Sequence, residues 1–156
     1  MGDQLMGWIR SRNGSSRGQT IVEFALIAPV IFILLFGIID FGMALDRRIT
    51  LQHAVREGAR YGAVTTDIDG IKQRTVDQAR GIVEKSAVEV CYEDGPDGNT
   101  RVGDAGDIVK VSAPFEWEFP LVSRFGVGPI DVSVSGSARL ELTVTDAPGC
   151  GPTPTP

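Results

Sequence analysis

The sequence predicts an α+β fold. A long N-terminal helix, partly transmembrane, leads into a second helix and a small three-stranded antiparallel sheet. Three observations carry this reading. Residues 24–39 form a run of sixteen without a charge (FALIAPVIFILLFGII). Further on, Leu51, Ala54, Val55, Gly58 and Gly62 recur at the i, i+3, i+4, i+7 spacing of one helix face, with His53, Arg56, Glu57 and Arg60 opposite. Beyond residue 108 two long stretches alternate apolar and polar residues with period two, which marks half-buried strands.

The order of segments follows from charge and composition. Residues 1–18 read as a basic leader, in which Arg10, Arg12 and Arg17 outweigh Asp3 among serines and glycines. The chain as a whole carries a net charge of −5, so the body that follows is acidic. That asymmetry argues against nucleic acid as a partner. It suits a start held on the cytoplasmic side of a membrane. Residues 19–64 read as the long helix, with a membrane span at about 20–41. Twenty residues from Thr20 rise ~30 Å, about the thickness of a bilayer core.

Three readings of the apolar run compete. A secretory signal is disfavoured, because the run is long and no A-x-A site follows Ile39. A plain membrane anchor leaves two residues to explain: Glu23, a carboxylate at the edge of the run, and Pro29, which removes a helical hydrogen bond. The third reading accounts for Glu23 through a resemblance.

Gly18-Gln19-Thr20-Ile21-Val22-Glu23-Phe24 resembles a prepilin cleavage site of the Flp/Tad kind, with glutamate five residues after the glycine and an aromatic next. The continuation Glu23-Phe24-Ala25-Leu26-Ile27-Ala28-Pro29, then Gly37-Ile38-Ile39-Asp40-Phe41-Gly42 and Arg56-Glu57-Gly58-Ala59-Arg60-Tyr61, resembles the TadE-like family. The resemblance implies a pilin-like fold and a pseudopilin of the Tad pilus machinery. It also implies a prepilin peptidase acting between Gly18 and Gln19, other Tad subunits as partners, and roles for Glu23 and Phe24 in pairing with an N-terminus during assembly. An ammonium on Gln19 would offset much of the several kcal/mol that an unpaired carboxylate costs in lipid. Pro29, Gly37, Gly42, Gly58 and Gly62 are candidate helix-packing positions, since small residues let backbones approach. Whether the Gly58/Gly62 face meets the protein's own sheet or another subunit stays open.

Residues 65–146 read as a small extracytoplasmic head. Asp67 or Asp69 is a plausible N-cap for a helix over 71–87. A short strand at 88–92 follows, then a glycine-rich acidic loop to residue 106. Val109, Val111, Ala113, Phe115, Trp117 and Phe119 form one strand's apolar face, with Pro114 marking an edge or a break. In the last stretch, from Ile130 to Val144, Gly136 suggests a bulge or bend. The loop acids Glu93, Asp94, Asp97, Asp104 and Asp107 read as a solvated loop or a cation site, without EF-hand spacing. Residues 147–156 read as a disordered Pro/Thr tail. Cys91 and Cys150 suit a disulfide in an oxidising compartment, with free or intermolecular thiols as the other outcomes.

One histidine, no CxxC pair and no GxSxG, Walker or HExxH pattern leave no catalytic or metal constellation and no implied cofactor. The sequence therefore reads as a non-enzymatic single-pass protein of the cytoplasmic membrane, N-terminus inside and head outside, with the pilus as a further location. The alternative is an uncleaved single-span envelope protein whose head binds a ligand or cell-wall partner.

Overall fold

The computed structural model describes residues 16–96 and 101–151. Most of the basic leader, the loop residues 97–100 and the tail residues 152–156 lie outside the described residues. The first element, α1, is one helix over Ser16–Gly62. At 1.5 Å per residue it is ~70 Å long, more than twice a bilayer core. It runs through Pro29 without a break. The proline ring takes away the donor for the carbonyl of Ala25, a small loss inside an otherwise intact helix.

The two ends of α1 live in different surroundings. Ile21, Phe24, Leu26, Ile31, Leu34 and Ile38 are all exposed, and the helix is long and apolar enough to cross a membrane. The later part has one buried face, built from Ala44, Leu51, Ala54, Val55 and Ala59. His53, Arg56 and Arg60 are exposed on the other side.

The second helix, α2, spans Ile68–Ala79, shorter than the 71–87 expected from periodicity. Asp67 caps it, its Oδ1 accepting from the Gly70 amide at 3.0 Å. The helix stops because Arg80 and Gly81 both adopt positive φ, 52° and 80°. Apolar spacing at Ile82, Val83 and Ala87 continues the helical rhythm, but these residues lie past that stop, the last of them in a single 3₁₀ turn at Lys85–Ala87. Ile71, Thr75 and Ala79 form the buried stripe of α2.

Three strands follow: β1 (Glu89–Glu93), β2 (Ile108–Trp117) and β3 (Ile130–Arg139). They form one antiparallel sheet in the order β1-β2-β3. The fold is α+β, as the sequence predicts. Val109, Val111, Ala113, Phe115 and Trp117 turn to the core and α1 lies across that face. Pro114 sits past the reach of β1, which pairs with β2 only up to Ser112. There β2 has a strand on one side only, so the missing N–H costs little.

Gly136 departs from the expected bulge. The β2–β3 register runs unbroken through Val111↔Gly136, and Gly136 is not among the positive-φ glycines. A Cβ at this position would lie 2.8 Å from the Arg56 nitrogen and 2.9 Å from the Val55 carbonyl carbon. The glycine is there because the backbone of α1 rests directly on β3. Gly58 and Gly62 have the same cause: an added Cβ would strike Thr75 Oγ1 at the first and sit 3.0 Å from Ile71 Cδ1 at the second. The smooth face of α1 therefore packs on its own head.

Gly136→Ala should cost about 1–3 kcal/mol, because both clashing groups are backbone and cannot rotate away. Gly42→Ala, with nothing within 4 Å, is the control. Urea unfolding of the detergent-solubilised protein checks this: the midpoint falls for the first variant and holds for the second.

Candidate functional site

The residues singled out from the sequence fall in three separate places. Gly18, Gln19, Glu23 and Phe24 stand together at the exposed start of α1. Gln19 Nε2 donates to Glu23 Oε1 at 3.1 Å, so residue 19 and the carboxylate are neighbours one turn apart. The Gly18–Gln19 bond lies in the opening turn of α1, where backbone amides lack helical acceptors and the chain is easiest to unwind. Phe24 is 64% exposed and touches nothing that would fix its ring.

Pro29, Gly37 and Gly42 lie further along the same helix. A Cβ on Gly37 or Gly42 would meet nothing within 4 Å. The two lie on different sides of the helix: Gly37, half-buried, continues the stripe of Asp40 and Ala44 below the head, while Gly42 is exposed on the opposite side. Beside them Phe32 and Phe36 stack with centroids 5.9 Å apart.

The third place is the disulfide between Cys91 and Cys150. Residues 147–151 were read as the start of a disordered tail, but here they line up on β1. Tyr92 N donates to Pro148 O at 2.9 Å, and Cys150 N donates to Tyr92 O at 3.0 Å. These contacts close Tyr92 off from water, and burial raises its phenol above its ordinary value. Its hydroxyl has no partner among the described residues.

Two aspartates organise the loops in roles that the sequence reading did not assign to them. Asp107 is fully buried. Its Oδ1 accepts from Gly95 N at 2.8 Å, and its Oδ2 accepts from Gly103 N and Asp104 N, both at 2.9 Å. Both oxygens are thereby committed to backbone amides. Glu93 is held by Lys110 at 2.9 Å. No group of three or more His, Cys, Asp or Glu among the described residues could hold a metal.

Asp40 is the second, also fully buried. Its Oδ2 accepts from the amides of Leu121 and Val122, both at 2.9 Å, across 81 and 82 residues of chain. It holds the turn that leads into the 3₁₀ segment at Ser123–Phe125. Two turns further along α1, Arg47 lies over the Trp117 ring at 4.9 Å. A signal for Asp40 was present in the sequence. A carboxylate directly after sixteen uncharged residues stands at the edge of the hydrocarbon, where it demands donors.

A shallow gap of ≈ 370 Å³ opens beside the short end of β1, lined by Ala87, Glu89, Ser112, Ala113, Pro114 and Ser133. Glu89 is its only charged group. Such a lining lacks the converging polar groups of a small-molecule site.

Thiol labelling of the denatured, unreduced protein should find neither Cys91 nor Cys150 free, with no dimer on a non-reducing gel. Replacing both by alanine should destabilise the head by about 4 kcal/mol, the chain-entropy value for a loop of this length. Labelled thiols in the unreduced protein would contradict the pairing.

Residues 18–60 match the family model described as TadE-like protein. No curated protein and no solved structure matches the chain.

Proposed function

We propose that the protein is a non-enzymatic pseudopilin or minor pilin of a Tad (Flp, type IV-like) pilus assembly and secretion system, processed by a prepilin peptidase after Gly18. The TadE-like match, which begins at Gly18, carries this reading. The match and the apolar helix together support a membrane-anchored protein associated with the Tad pilus.

Arg10, Arg12 and Arg17 keep the leader in the cytoplasm, and the head lies outside. The disulfide fits an oxidising compartment on that side. Cleavage gives Gln19 an ammonium. Glu23, one turn away, is placed to pair with it or with that of a neighbouring subunit. Lipid around α1 strengthens such a pair, since neither charge is solvated there. Exposed Phe41, Leu45 and Ile49, with the small Gly42 beside them, give other pilus subunits a face to pack on.

The second reading is an uncleaved single-span envelope protein whose head binds a ligand or cell-wall partner. One observation favours it: α1 begins at Ser16, so the helix already runs across the Gly18–Gln19 bond.

Intact mass of the protein purified from its own host decides between them. The mature chain should begin at Gln19, and a start at Met1 or Gly2 overturns the pilin reading. Gly18→Leu should leave the leader attached, because a bulky side chain blocks the peptidase's grip. Glu23→Ala should still be cut yet lose pilus assembly.

A further inference from the structure

We infer that residues 121–132 form a foot of the head that rests in the outer interface of the bilayer crossed by α1. The inference rests on the membrane-anchored reading of that helix. Position comes first. Leu121 and Val122 are bonded through their amides to Asp40, the residue directly after the uncharged run. Wherever α1 leaves the hydrocarbon, this turn is at the same level.

Exposure comes second. Past residue 64, the exposed large apolar side chains among the described residues are Leu121 (37%), Val127 (45%), Ile130 (41%) and Val132 (40%). All four fall within this one short window; the other exposed large apolar side chains of the described residues lie on or just past α1, Tyr61 and Val64 at its far end. Ile130 and Val132 pair with Trp117 and Phe115 and so share the side of the sheet that α1 covers. They nevertheless remain uncovered, at the end of β3 nearest the bilayer. Gly136 meets α1 at Arg56. Six residues back along β3 is ~20 Å, or about thirteen residues back along α1, which brings Ile130 near the level of Asp40.

Charge comes third. Within an acidic protein this window holds one cation, Arg124, and one anion, Asp131. Asp131 pairs in register with Glu116, on the opposite face of the sheet from Trp117, so the acids face away from the apolar patch. Arg124 is exposed and long enough to reach lipid phosphate. Just above, exposed Arg47, lying over the ring of buried Trp117, supplies a second cation close to that level. Gly126, at φ 88°, makes the tight reversal that carries Val127 outward. The occupant of this face is the acyl-chain and headgroup boundary of the protein's own membrane.

The test uses the full-length protein in vesicles of phosphatidylethanolamine and phosphatidylglycerol. A diazirine-bearing leucine analogue is placed at position 121, 127, 31 or 73, one per sample. Adducts formed on illumination are identified by mass. Position 31 reports the span. Position 73, on the exposed side of α2 far from the bilayer, reports background. Positions 121 and 127 should form lipid adducts roughly tenfold or more above position 73, the partition expected from burying one Leu or Val side chain. Lipid adducts at 31 with water or a second copy of the chain captured at 121 and 127 would overturn the foot and leave the anchor standing. Lipid missing at 31 as well would overturn the anchoring and the foot together.

Discussion

A carboxylate removed from water must be paid for by the groups around it; Asp40 Oδ2 takes the amides of Leu121 and Val122, while its Oδ1, also buried, has no partner among the described residues. Charge-assisted bonds of this kind each contribute about 1.5–3 kcal/mol. Their consequence is geometric. The last residue of the apolar run is followed at once by a residue that grips the β2–β3 connection, so the head begins where the bilayer span ends. No linker separates them. Membrane helix and head core are parts of one continuous α1, and the head's attitude to the bilayer is set by that helix.

The rest of the packing follows from how closely α1 approaches the sheet. Three short strands cannot bury their apolar face alone. The helix covers it, and the contact is tight because small residues stand on both sides: Ala54, Gly58, Ala59 and Gly62 on α1, and Gly136 on β3. Glu141 N closes the far end by donating to the carbonyl of Ala63 at 2.8 Å, one of the acceptors the helix terminus leaves open. At the opposite edge, the disulfide and the Tyr92 backbone hold the C-terminal segment on β1. The head is thus fastened at its lower turn, its centre and its outer edge by three different interactions.

Local regularities were legible in the sequence. Period two in 109–117 and the i, i+4 face of α1 gave the fold class, because both patterns repeat over many residues. Asp67 was legible as a cap for the same reason: its effect is confined to one turn. What escaped was set by distance. Nothing local says that the glycine at 136 serves the backbone at Arg56, or that Asp40 bonds a turn 81 residues later. The end of α2 was missed because Arg80, not glycine, takes the first left-handed position. Of the candidate site, the Gly18 to Phe24 element carries a linear pattern and was readable as a resemblance. The nearness of Glu23 to residue 19 is a matter of spacing along one helix. Among the loop acids, expected as a solvated loop or a cation site, Asp107 is instead buried and committed to its own backbone, a long-range fit that composition does not show.

The apolar span and the head form a single body in fixed relation, joined through α1 and the Asp40 bonds. That claim depends on Asp40 more than on any other side chain, and amide hydrogen exchange measures it directly. In the full-length protein in lipid vesicles, Leu121 and Val122 amides should exchange slowly. In Asp40→Ala they should exchange about ten- to a hundredfold faster, matching the loss of one charge-assisted bond, while Val111 in the centre of the sheet keeps its rate. Unchanged exchange at Leu121 and Val122 in the variant would contradict the account.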